Sequence, residues 1–271
     1  MVAGDLITEA YQIEYNGLLV GANTNYDMRL INNMTGHDTR SDTVDRFGAH
    51  GGVAGRHYAK FKNFSIEGNF VTSTATDAQT KRQALGLAFK PIVASDDGLP
   101  LCLLLPGPGS LIVKMVVRPT KFECDITRDM AVGYPSWKVF LEAVDPTLYN
   151  RISTSQGFTM PSDTRVITNN GNAPAKWTAR LTGICSNPIL TNNNTGQVIS
   201  FYNLTIGAND ILTFDSGTST VKLNGTPSSG SLQTGFSWWD MEPGNNSISI
   251  SASSVSGGSF SLTTSDAYWI P

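Results

Sequence analysis

Cysteine and histidine are scarce, and neither sign of charge dominates. The 271 residues include three cysteines and three histidines. Cys102, Cys124 and Cys185 are odd in number and irregularly spaced. That excludes a disulfide framework and a zinc ligand set, and it predicts three reduced, buried thiols in a chain assembled in a reducing cytoplasm. Lys and Arg total 19 against 22 Asp and Glu, a formal net charge of −3. No basic field exists for a phosphate backbone, so no direct nucleic-acid partner is expected. The longest apolar run, "LPLCLLLPGPGSLIVKMVV", is broken by Pro106, Gly107, Pro108 and Gly109. A membrane-inserted helix is therefore not expected. The start, "MVAGDLITEAYQIEYNG", has neither a basic nor an apolar leader region, so export by the general route is not expected.

What is abundant is Gly, Ser, Thr and Asn, above all in the second half. Only 15% of residues are charged, which suits strands and turns better than a helical bundle. Charge density also changes along the chain, from 30 charged residues through position 150 to 11 in the remaining 121. The change predicts two domains, 1–150 and 151–271, joined near "DPTLYNRISTSQGFTMPSD".

In the first domain "YQIEYNGLLVG" and "RHYAKFKNFSIEGNFVT" each read as one strand, and "LPLCLLL", "SLIVKMVVRP" and "SWKVFLEAVDP" as three more. "PGPG" reads as a tight turn. Residues 32–56 are polar and glycine-rich and predict a long exposed loop or hairpin arm. "TDAQTKRQALGLAF" is the one clear helix, capped by Thr76 or Asp77, with Ala78, Arg82, Leu85 and Phe89 on one stripe and Pro91 as its stop. The second domain alternates throughout and predicts a jelly-roll β-sandwich burying Trp177, Leu181, Ile206, Phe214, Val221 and Leu223.

Candidate chemistry is thin. His37, His50 and His57 lie beside Asp38, Asp42 and Asp45, but their spacing matches no metal motif. The glycines of "GAHGGVAG" lack the strand, helix and Lys-Ser/Thr that a phosphate loop needs. No strained Ser elbow or activated thiol is visible. "FSWWDMEPGNNSISIS" offers Asp240 and Glu242 as a carboxylate pair for glycoside hydrolysis, and Trp238 and Trp239 as weak candidates for sugar contact. Neighbours in a strand face opposite ways, so at most one indole would line a given groove. The stretch reads best as a turn before a late strand, with Ile248 and Ile250 returning to the core. No catalytic residue, metal or cofactor is expected.

The order of segments resembles the siphophage distal tail and minor tail proteins. The resemblance rests on "FKNFSIEGNFVTSTATDAQTKRQALGLAFKP" through "WKVFLEAVDPTLYN", with its "A-x-DP-x-x-Y" close. In the second half it rests on a strand ending in Asn-Pro ("ICSNPIL"), the "DILTFDSGTSTVKLNG" hairpin, and "WWDMEPGNNSISIS". Met241-Glu242 departs slightly from the family's usual approach to Pro243-Gly244. The resemblance implies a mainly β protein with one short helix, a tail-tube-like N-terminal domain and a galectin-like C-terminal sandwich. It further implies a non-enzymatic virion protein of the tail tip. Such proteins form rings, commonly hexamers, that join the tail tube protein to baseplate or receptor-binding proteins. A carbohydrate-binding module for host cell-wall saccharide is the alternative.

Overall fold

The computed structural model describes every residue except 1, 35, 37, 48–49, 51, 92–97, 106–110, 127, 129–132 and 270–271. The chain divides into two compact units, Met1–Arg151 with Trp269–Pro271, and Ile152–Tyr268.

The first unit opens with β1 (Gln12–Tyr15) and β2 (Leu18–Gly21), paired antiparallel. "YQIEYNGLLVG" is thus a hairpin, where periodicity alone reads a single strand. Asn16 and Gly17 take φ 49° and 76°, the left-handed pair that a two-residue hairpin turn requires. Next come β3 (Tyr26–Asn32), β4 (Thr39–Asp45), β5 (Gly52–Ala59) and β6 (Lys62–Phe70). "RHYAKFKNFSIEGNFVT" is accordingly two strands, broken at Lys60 and Phe61. Helix α1 (Ala75–Ala88) is capped by Thr74, two residues before the expected cap, whose side chain accepts from the Asp77 N–H. The Asp77 carboxylate accepts from the Ser73 N–H in return. This reciprocal pair fixes the start more firmly than Thr76 could.

Strands β7 (Leu99–Leu105), β8 (Leu111–Glu123), β9 (Ser136–Ala143) and β10 (Leu148–Asn150) complete the unit. The "PGPG" turn lies outside the described residues. The main sheet runs β2-β1-β7-β8-β9-β6-β3. Strand β8 serves two neighbourhoods: Leu111–Val117 pairs with β7, and Arg118–Glu123 with β9. Just past the change, the register shifts between Pro119 and Lys121, since a proline inside a sheet needs a bulge. The inner face buries Phe64, Ile66, Val113, Met115, Val139 and Leu141. Helix α1 closes that face. Phe89, just past its end, stacks on Tyr15 at 5.2 Å and lies 6.3 Å from Trp137.

The second unit contains β11 (Thr154–Phe158), β12 (Ser162–Asn169), β13 (Trp177–Ser186), β14 (Ile189–Asn192) and β15 (Gln197–Ser200). After these come β16 (Thr205–Ile206), β17 (Ile211–Asp215), β18 (Thr220–Leu223), β19 (Thr226–Pro227), β20 (Gly244–Ser251), β21 (Ser254–Thr264) and β22 (Ala267–Tyr268). One sheet runs β11-β21-β13-β17-β18-β19 and the other β12-β20-β14-β15. Leu181, Phe214, Phe260 and Leu262 from the first meet Ile167, Leu190, Ile199, Ile248 and Ile250 from the second, all buried. Trp177, Ile206 and Val221 are buried as their alternation predicts, while Leu223, at the turn, is only half-buried. Strand β11 begins inside the stretch read as a boundary.

Candidate functional site

The stretch with the densest chemistry is Trp238 to Asn246, and polar side chains set its shape. Residues 236–240 lie outside any strand, so strand alternation does not separate the two indoles. Both rings approach Trp177 at the start of β13, with centroids 6.0 Å from Trp238 and 5.3 Å from Trp239. The Trp177 Nε1–H donates to the Trp239 carbonyl at 2.9 Å. Trp239 is buried; Trp238 is half-buried, its carbonyl accepting from Gln197 Nε2 at 3.0 Å.

Asp240 accepts from Lys176 Nζ at 2.7 Å, and the exposed Glu242 carries its hydrogen bonds through its backbone. The buried Asn246 secures the Pro243-Gly244 bend, its Nδ2 donating to the carbonyls of Glu242 and Gly244 and its Oδ1 accepting from the Glu242 N–H. Asn169 does the same on the facing strand. Its Nδ2 donates to the carbonyls of Ala173 and Met241, and its Oδ1 accepts from the N–H groups of Gly171 and Ala267. Four backbone groups from three segments converge on one fully satisfied amide.

The other signature residues do equivalent work. Asn187, with φ 46°, turns the chain from one sheet to the other before Pro188, and its Oδ1 accepts from the Leu204 N–H. In the hairpin ending "LNG", Asn224 donates to Asp210 at 2.7 Å and accepts from the Ile211 N–H. Those bonds hold the Asp210 carboxyl below the usual carboxylate range, Asn224 contributing most and the Gly207 N–H next. Asn169 escapes a sequence reading because two of its partners, Met241 and Ala267, are backbone groups far along the chain; its only trace is an Asn at a strand end, a place where amide caps recur.

The remaining candidates stay apart. Cys102, Cys124 and Cys185 are all buried and unpaired, and burial pushes each thiol up, Cys102 to about 11. His37 and the side chain of His57 lie outside the described residues. Among the described residues no group of three or more His, Cys, Asp or Glu is placed to hold a metal ion. No helix there is long and apolar enough to cross a membrane. In the first unit, β4 and β5 form a two-stranded hairpin that pairs with no other described strand. Phe47 at its tip is fully exposed, and Val44 is exposed beside it.

Comparison with known proteins agrees with this geometry. Residues 170–263 match the family described as siphovirus-type tail component, C-terminal domain. The whole chain is similar in fold to the SPP1 Dit (gp 19.1) protein, whose structure is described as a paradigm of the hub adsorption apparatus in phages infecting Gram-positive bacteria. That match has a TM-score of 0.67 at 12% identity and covers 96% of this chain and 99% of that one. A chain of the phage p2 baseplate in its activated conformation with Sr gives a TM-score of 0.49 at 10% identity, over 93% and 96%. No curated protein sequence matches the chain. Residues 170–263 thus carry the signature of that C-terminal tail-component domain, and the chain along its length shares the mainly β fold of the SPP1 Dit protein.

Proposed function

We propose that copies of this chain close into a ring at the phage tail tip, joining the tail tube to the baseplate or receptor-binding apparatus, with six copies as the expected number. The observation that carries this reading is the β4–β5 hairpin. Two strands alone are marginal in water, and this pair finds no third strand among the described residues. Its apolar Val44 and Phe47 lie open. A neighbouring copy supplies the missing surface, and a contact between unlike patches repeated head to tail generates a ring. The first unit forms the ring and continues the tube; the second carries the receptor-binding components. Three buried free thiols suit assembly in a reducing host cytoplasm before incorporation into the virion. The role is mechanical, without turnover.

Replacing residues 39–59 by a short Gly-Ser turn tests the arm. The expected product is a folded monomer with an unchanged second unit; a ring that persists overturns this role for the arm. A second reading is saccharide contact at Trp238, backed by Trp239. It is favoured by the accessible edge that Trp238 keeps while Trp177 and Gln197 hold it in place. Titration with cell-wall saccharides, followed by tryptophan emission in wild type and Trp238→Ala, decides it.

A further inference from the structure

The second unit has only four cationic side chains, Arg165, Lys176, Arg180 and Lys222. Asp163 pairs with Arg165, and Asp240 with Lys176. Arg180 and Lys222 make no ion pair or side-chain hydrogen bond among the described residues, and both are exposed. They share one cross-strand row on the outer face of the larger sheet. Arg180 on β13 faces Thr213 on β17, which faces Lys222 on β18. Two strand spacings put their Cα atoms about 10 Å apart.

The row continues from Arg180 to Ser261 and then to Gly157, whose missing side chain leaves open space. The parallel row carries Thr263, Thr178, Asp215 and Thr220. All of these residues but Gly157 line a trough of about 320 Å³. Its surface is hydroxyl-rich, with two uncommitted cations. Asp215 already accepts from the Gly217 N–H at 2.9 Å and the Thr218 N–H at 3.3 Å. No large apolar side chain projects from these rows, whereas the centre of a protein–protein contact is marked by aromatic and aliphatic anchors.

We infer that this trough binds an anionic polyol polymer of the cell surface, with phosphodiesters seated on Arg180 and Lys222 and chain hydroxyls on the Thr and Ser rows. Guanidinium and ammonium groups make charge-assisted bonds to phosphate oxygens, and the hydroxyls both donate and accept. The site is distinct from the Trp238 corner, and it rests on the second unit alone, whether or not copies close into a ring.

The experiment uses the full chain and a synthetic poly(glycerol phosphate) oligomer, with dextran and poly-glutamate as comparison ligands, measured calorimetrically at two salt concentrations. The expected result is binding to the phosphodiester polymer that weakens as salt rises, with no binding to dextran. Affinity falls at least about tenfold in Arg180→Gln/Lys222→Gln, two surface changes that leave the core intact. Asp215→Asn, which keeps an acceptor for the Gly217 and Thr218 N–H groups, tightens binding. Equal affinity in the double variant, or no binding by the wild type, overturns the inference. Poly-glutamate binding as tightly as the phosphodiester also overturns it, and assigns the face to an acidic protein partner.

Discussion

Asn246 and Glu242 bridge one bend from both sides: the Asn246 Nδ2 donates to the Glu242 carbonyl at 2.7 Å, and its Oδ1 accepts from the Glu242 N–H at 3.0 Å. The bend carries the chain from the tryptophan pair into β20, where Ile248 and Ile250 re-enter the core. Asn246→Ala removes the partners of the part-buried Glu242 N–H and of two carbonyls along with a buried amide, and is expected to cost about 2–4 kcal/mol. Asn245→Ala, one residue earlier and exposed, is expected to cost under about 1 kcal/mol. Urea denaturation followed by tryptophan emission compares the two; equal costs would remove Asn246 from its role.

Trp177 links the corner to the sandwich through one hydrogen bond and two ring contacts. Trp177→Phe keeps an aromatic ring, loses the bond to the Trp239 carbonyl and leaves a small void. The expected loss is about 2–3 kcal/mol, together with a changed near-ultraviolet circular dichroism band. An unaltered spectrum and midpoint would show the three indoles to be independent.

Close approach at Gly68 is expected to be unforgiving. A Cβ there would stand 1.9 Å from the Asp27 carbonyl oxygen, beside the bulge between Met28 and Leu30 where β3 meets β6. Gly68→Ala is expected to cost about 3 kcal/mol by pushing β3 off the sheet. Gly17→Ala has open space at its Cβ but φ 76°, and so costs about 1 kcal/mol. Thermal denaturation of both variants gives the order; the reverse order would contradict the packing described.

Alkaline pH should loosen the first unit. Burial, with the Glu14 carboxylate a lesser cause, pushes the Cys102 thiol from 9.0 up to about 11. Burial alone pushes the Tyr15 phenol from 10.0 up to about 12. Both groups ionise first in the unfolded chain. Their contribution is therefore complete below about pH 9 and is lost as pH rises through the folded values. Cys102→Ala should flatten the lower part of that decline in denaturation midpoints measured between about pH 8 and 11. An identical slope would exclude Cys102 as its source.

Much of this architecture was legible in the sequence, and the rest was hidden for definite reasons. Alternation in "WTARLTGICS" placed Trp177 and Leu181 inside because one face of β13 is wet. "YQIEYNGLLVG" misled because both arms of the hairpin are short, and only Asn16-Gly17 marks the reversal. The expected cap at Thr76 yielded to Thr74 because a cap depends on backbone geometry that composition does not carry. At the tryptophan pair the strand rule did not apply, since irregular backbone there lets both indoles reach Trp177. Arg180 and Lys222 lie 42 positions apart in the sequence, and only sheet register brings them into one row.

The central claim is that this chain is a ring-forming hub, and the most direct test is the mass of the purified full-length protein by light scattering, with electron micrographs of the same fraction. The account predicts particles near six times the 29.1 kDa chain mass, each with a central hole. A single-chain mass at every concentration, with no annular particles even when tail tube protein is added, would contradict it.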